Sequence, residues 1–257
     1  MNPPLPPPPD ELLLEQAPPR ATWRWWEAAI VTLLGFVLGS LLSVPVFLAL
    51  GGDSGQQMNG PGAAAGAVTY LVLVISLVVW LQVAHRGWWH VIGWPARGDR
   101  LREVGSGVGW GFASQIGITV VAYFVVSALA AISGRDVEVP RQVEPSLNGW
   151  AVAALVVYAV VMAPIAEELV FRGLIFRSVA DRRGFWPGAI ASAIPFGLIH
   201  VVPGGALDVS VLVFMMMIIG LVWAWIHWRH RNLLVNIATH AAFNAVGVLF
   251  ALQLWGS

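Results

Sequence analysis

Residues 149–172 read GWAVAALVVYAVVMAPIAEELVFR, and this stretch decides the class of fold. Eighteen residues pass without a charge, and then two glutamates and an arginine stand in the same apolar segment. A transmembrane helix needs about 20 predominantly apolar residues, which residues 149–171 supply. Six more stretches have the same character: residues 28–50, 62–84, 104–132, 186–202, 209–228 and 233–254. The stretch at 186–202 is the shortest and contains Pro195, which predicts a kinked or partly re-entrant segment. The expected fold is therefore all-α, a polytopic membrane helical bundle of about seven transmembrane helices.

Composition agrees. The chain of 257 residues is 58% hydrophobic and 11% charged, against about 25% charged in soluble domains. All 14 basic residues are arginine, balanced by 14 acidic ones. A neutral chain with no basic block outside its loops argues against a nucleic-acid binder. With no cysteine, disulfides, thiol nucleophiles and thiolate metal sites are excluded.

Residues 1–22 are rich in proline, lack an apolar face and lack the pattern of a cleavable signal peptide. They read as a disordered cytosolic tail. Residues 23–144 hold the first three transmembrane helices, and residues 145–257 hold helices four to seven, the part that carries the chemistry. Assigning alternate loops to one side collects eleven arginines there and leaves two, Arg135 and Arg141, on the other. The positive-inside rule then predicts a multi-pass protein of the plasma (inner) membrane with a cytoplasmic N-terminus and an outside C-terminus. Tryptophans such as Trp23, Trp25, Trp26, Trp88, Trp89 and Trp228 fall near these edges and read as interfacial anchors. Gly105, Gly107, Gly109 and Gly111 form two overlapping Gly-xxx-Gly pairs, a helix-packing signal.

Few ionisable groups fall inside the spans. Glu167 and Glu168 are the two acidic residues within one, Arg172 closes it, His200 and His240 are embedded in apolar sequence, and Asn244 lies inside the last span. The other histidines, His227 among them, read as loop or interface residues. Each charge near the bilayer centre costs about 2.5–3.5 kcal/mol on insertion scales, an outlay that points to function. Glu168 and Arg172 are four apart and share a face, so they can pair. Glu167 is rotated by about 100° and has no base one turn on. His240 and Asn244 also share a face. Glu167 lies 17 residues before Gly184 and His200 lies 16 after it, so an antiparallel hairpin turning there sets both at one depth.

Glu167-Glu168-Leu-Val-Phe-Arg172, then Phe196-Gly-Leu-Ile-His200, then His240-Ala-Ala-Phe-Asn244 resemble the three motifs of the CPBP (Abi) family. These are the glutamic intramembrane proteases related to type II CAAX prenyl endopeptidases. The resemblance covers roughly residues 145–255. It implies that Glu167 is the catalytic glutamate, binding and activating a water with His200. His240 and Asn244 are implied to stabilise the oxyanion, and Glu168 and Arg172 to form a supporting ion pair. The implied activity is an intramembrane endopeptidase with no cofactor and no metal. Its expected partners are the lipid bilayer and a membrane-associated peptide or protein substrate, with no nucleic acid. Eukaryotic relatives cut prenylated CAAX tails, and bacterial ones are linked to bacteriocin immunity and peptide processing.

Chemically, a carboxylate can act as general base toward water, and an imidazole with an amide can donate to a developing oxyanion. The same residues admit a zinc-dependent membrane protease, since two His and one Glu are a known ligand set, although no His-Glu-x-x-His stands on one helix. A non-catalytic scaffold or immunity-type peptide-binding protein would use the same pocket. A proton-relay transporter is the third alternative, and no inverted repeat supports it. Oligomeric state is not encoded in any feature of the sequence.

Overall fold

The computed structural model describes residues 20–53, 59–95, 100–134, 136–137 and 149–253. The proline-rich tail through residue 19, and Arg97, Arg135 and Arg141, lie outside the described residues. Among those described, all regular structure is helical: α1 (Trp25–Ala49), α2 (Gly60–Ala84), the single-turn α3 (Trp88–Val91), α4 (Arg100–Ser133), α5 (Gly149–Arg183), α6 (Phe185–Leu198), α7 (Ala206–His230) and α8 (Leu233–Gln253).

The limits of these helices follow from local chemistry. Asn59 caps α2 by accepting the Gly62 N–H at 2.8 Å, and a proline occupies its first turn, where no intrahelical N–H is needed. Gly184 ends α5 and starts α6 at φ 86°, a left-handed turn that a Cβ would disfavour. Asn232 Oδ1 accepts the Leu234 and Val235 N–H groups and opens α8.

Six of the helices are long and apolar enough to cross a membrane, and α6 is shorter. These six and the shorter α6 are the seven apolar segments of the sequence, and the short one is the Pro195-containing segment expected to be kinked or partly re-entrant. The fourteen residues of α6 rise about 21 Å, less than the ~30 Å hydrocarbon core. The chain leaves helical conformation after Leu198, and His200 sits in the turn beyond it. In contrast, α5 runs on from Phe171 to Arg183, because its polar last turns continue the helix beyond the apolar run. Leu33, Leu41, Ile116 and Phe124 stand more than half exposed on the outer faces of α1 and α4. Apolar side chains without protein partners at this density are the lipid-facing surface of a multi-pass membrane protein.

Two helix pairs are set by glycine. In α1, a Cβ on Gly39 would come within 2.5 Å of the Thr69 carbonyl, and Gly35 faces Leu73, so α1 and α2 approach to backbone contact. In α4, Gly107 and Gly111 do the same against α8, their built Cβ atoms meeting Val235 O at 2.5 Å and Thr239 O at 2.6 Å. Gly105 and Gly109 face open space, so only one of the two overlapping pairs packs. The α4 contact braces the helix that presents His240.

Two residues read as interfacial are buried instead. Trp23 is 0% exposed and its indole N–H donates to the Leu174 carbonyl at 3.1 Å, tying the N-terminal segment to α5. His227 is 1% exposed, packed edge-on against Phe176. Both sit near helix ends in sequence, where hydropathy cannot distinguish a bilayer edge from a packed core.

Gly111→Ala is expected to lower the thermal stability of the detergent-purified protein by about 1–3 kcal/mol, an overpacking penalty. Gly109→Ala is expected to change it by less than about 0.5 kcal/mol. Thermal unfolding followed by circular dichroism compares the two.

Candidate active site

The helix that carries the glutamates is not a regular α-helix. Two π-helical stretches, Val157–Met162 and Leu169–Phe176, bracket the α-helical Ala163–Glu168. The first has a sequence cause. Ala163 N–H donates to Tyr158 O, five residues back, and Pro164 has no N–H for the next carbonyl, that of Ala159. Asn244 on α8 satisfies this carbonyl, its Nδ2 donating at 2.7 Å. Each wide turn rotates the residues beyond it relative to a straight α-helix, a device that recurs at functional sites.

Behind the glutamates lies a buried ion cluster. Glu168 and Arg172 are both 0% exposed and pair at 2.9 Å through Oε1 and Nη1. The same Oε1 accepts from His240 Nδ1 at 3.0 Å. The Arg172 guanidinium stacks over Phe196 of α6 at 4.4 Å and near Trp223 of α7 at 5.3 Å, and its Nη2 donates to Gly220 O at 3.4 Å. The Trp223 ring also lies against His240, with centroids 4.4 Å apart. Hydrogen bonds to Nη1 and Nη2 and the π-faces thus replace much of the water that the guanidinium loses on burial, and its Nε has no partner among the described residues. Asn236 Nδ2 donates to Trp223 O at 2.9 Å and fastens α8 to α7.

Glu167 faces the other way. Its Oε1 accepts the Tyr70 hydroxyl of α2 at 2.7 Å, and Tyr70 stacks on Tyr158 of α5 at 5.5 Å. Its Oε2 has no hydrogen-bond partner among the described residues and lies 3.9 Å from His240 Nε2. That gap is too long for a direct hydrogen bond and short enough for one bridging water. Glu167 is the one carboxylate in the lining of a cleft of about 430 Å³, whose walls include Phe36 of α1, Tyr70 and Leu73 of α2, Phe171 of α5 and Ile199 after α6.

The fold brings Glu167, Glu168, Arg172 and His240 into one contact set, with His240 spanning the two carboxylates. His200 joins less directly. Its Nδ1 donates to the Phe196 carbonyl at 2.7 Å, which leaves Nε2 with the lone pair. Its ring packs on Phe196, the ring that also carries Arg172. Its neighbour Ile199 lines the cleft. Asn244 is held on the backbone of α5, with the second N–H of its amide left over. Among the described residues, no three His, Asp or Glu side chains are grouped as metal ligands.

Sequence reasoning did not find Tyr70, Tyr158 or Trp223. A signal for the tyrosines was present: the chain has 3, and these two lie inside otherwise apolar spans. Nothing local marks Trp223 out from the other tryptophans.

Residues 149–246 match the family model described as type II CAAX prenyl endopeptidase Rce1-like. The chain is also similar to a Bacillus subtilis (strain 168) protein named "Putative membrane peptidase YdiL". The two are 22% identical over 231 residues, covering 87% of this chain and 88% of that protein. No solved structure matches.

Removing one partner of a buried ion pair leaves an uncompensated charge, so Arg172→Met is expected to cost about 3–5 kcal/mol of stability. The double variant Glu168→Gln/Arg172→Met should recover at least half of that loss. Thermal unfolding of the three proteins in one detergent gives the cycle, and a double variant no more stable than Arg172→Met would contradict it.

Proposed function

We propose that this chain, whose residues 149–246 match the family model described as type II CAAX prenyl endopeptidase Rce1-like, is an intramembrane glutamic endopeptidase. It hydrolyses a peptide bond in a membrane-associated peptide or protein. The observation that carries the reading is the placement of Glu167. It is the cleft's carboxylate, oriented by Tyr70 through Oε1, with Oε2 unpaired 3.9 Å from an imidazole nitrogen.

The chemistry rests on that placement. Water bound to Glu167 Oε2 loses a proton to the carboxylate as its oxygen attacks the substrate carbonyl carbon. The C–O bond forms while the carbonyl oxygen takes the electron pair. The second N–H of Asn244 is a candidate donor to that oxyanion, His240 Nε2 donates there only as the imidazolium, and His200 Nε2, which keeps its lone pair, is the candidate acceptor that holds the water with Glu167. Collapse breaks the C–N bond, and the proton held by Glu167 passes to the leaving amine. Glu168 fixes His240 through Nδ1, so Nε2 points at the reacting atoms.

The side of the membrane follows from arginine placement. The arginine-rich end of the bundle lies at the cytosol, with the N-terminus inside and the bilayer that of the plasma (inner) membrane.

Glu167→Gln is expected to lower peptide cleavage at least 10²–10⁴-fold, roughly the usual worth of a general base. Tyr70→Phe, which removes a hydrogen bond to a charged group, should lower kcat about ten- to hundredfold with a smaller change in KM. A quenched-fluorescence peptide library with the purified protein, run with and without a strong chelator, reads both. Cleavage that the chelator abolishes and zinc restores would overturn the mechanism, as would full activity in Glu167→Gln.

A further inference from the structure

A second cleft, of about 790 Å³, lies at the arginine-rich end of the bundle. Its walls are the same three elements that enclose part of the Glu167 cleft. On α6 its lining residues Pro187, Ala191 and Pro195 continue at intervals of four to Ile199 of the Glu167 cleft. On α5, Arg183, Val179 and Ile175 continue likewise to Phe171 and Glu167, and on α1 Trp25 and Ala29 continue to Leu33. Residues four apart lie on one face of the α-helical α1 and α6, and across the wide turns of α5 the lining residues themselves carry the continuity. The two clefts are therefore consecutive lengths of one groove between α1 and α6, floored by α5.

The length of the groove suits a single hydrocarbon chain. From Pro187 to Ile199 the helix rises about 18 Å, against about 15 Å for half of a bilayer's hydrocarbon core. Along the outer part the walls offer few free polar groups. Pro187 and Pro195 have no N–H, and the Ser178 hydroxyl is bonded to the Ile175 carbonyl at 2.8 Å. A peptide backbone laid there would keep its N–H and C=O groups unpaired, whereas a hydrocarbon chain has none to pair. Toward Glu167 the wall changes, with Thr32 Oγ1 and Glu167 Oε2 both lacking protein partners among the described residues. A peptide fits that inner end alone.

The outer mouth is cationic. Arg24 and Arg183 are exposed there and have no ion-pair partner among the described residues. The nearby carboxylates are engaged: Glu27 accepts the Arg24 backbone N–H, and Asp181 pairs with Arg177 at 3.2 Å and accepts the Ala21 N–H. Arg182 is bound to the Ser178 and Ala21 carbonyls and adds positive field without being free. Trp25 and Trp26 stand beside these arginines, 56% and 43% exposed, as rings at a headgroup level do.

We infer that this groove binds one anionic membrane phospholipid, its phosphate between Arg24 and Arg183 and one acyl chain running along α6 toward Glu167. The inference stands on the groove and its charges and does not rest on the hydrolytic reading. A lipid so placed fills the path from the bilayer edge to Glu167, so anything entering by that path displaces it.

The test uses the full chain in detergent, stripped of lipid. It is then incubated with phosphatidylglycerol or phosphatidylcholine of identical chains, and bound lipid is counted by native mass spectrometry. Wild type is expected to retain one phosphatidylglycerol with about a tenfold preference over phosphatidylcholine. Arg24→Gln/Arg183→Gln should reduce that preference to about twofold or less. Ala191→Phe fills the groove and leaves the arginines, and it should lose the bound lipid. Ala29→Phe on the opposite wall should do the same, and thermal unfolding confirms that each variant is folded. Equal retention of both lipids by wild type overturns the inference, as does undiminished phosphatidylglycerol in both folded groove-filling variants. Displacement of the lipid by millimolar glycerol phosphate would also overturn it, since that marks a site for a free phosphate anion.

Discussion

The contact between Glu168, Arg172 and His240 is the constraint on which the C-terminal half of this bundle depends. Three ionisable side chains buried beneath apolar helices would each be costly alone. Together they are held at 2.9 and 3.0 Å, with Phe196, Trp223 and the Gly220 carbonyl surrounding the guanidinium. Because those partners come from α5, α6, α7 and α8, no one helix can rotate without breaking a charged contact. This coupling gives the cluster a structural task distinct from chemistry: it sets the rotation of α5 and so the direction in which Glu167 points.

Irregularity in α5 is the complement of that rigidity. The wide turn before Pro164 frees the Ala159 carbonyl, and Asn244 closes it from α8. A polar group left open at this depth would have no water to satisfy it. The same side chain that is proposed as an oxyanion donor therefore also joins two helices. Removing the Asn244 amide touches the helix contact and the proposed donor at once, whereas removing Tyr70's hydroxyl touches Glu167 alone.

The short α6 gives access from the side. A full-length helix in its place would continue past His200 along the bundle, whereas here the chain turns after Leu198 and Ile199 becomes part of a cleft wall. The groove beside α6 joins the arginine-rich surface to the apolar depth at which Glu167 sits. Membrane thickness thus enters the design twice, as the length that six helices satisfy and as the length that α6 leaves unfilled.

Hydropathy and helical spacing are local properties, and their consequences were readable in one dimension. The apolar runs established a helical membrane bundle, and the four-residue interval of Glu168 and Arg172 established their pair, which closes at 2.9 Å. Gly184 as the turn between the two motif-bearing helices was readable for the same reason. Rotation between helices is not local, and everything that depends on it needed the tertiary structure. The π turns change which faces of α5 meet its neighbours. They place His240 Nδ1 on Glu168, set Tyr70 on Glu167 from a helix nearly a hundred residues away, and leave His200 linked through Phe196. Burial of His227 and Trp23, two residues near span ends, was decided in the same way. A side chain's hydropathy sets whether it can leave water, and only the packing of helices decides whether lipid or protein receives it.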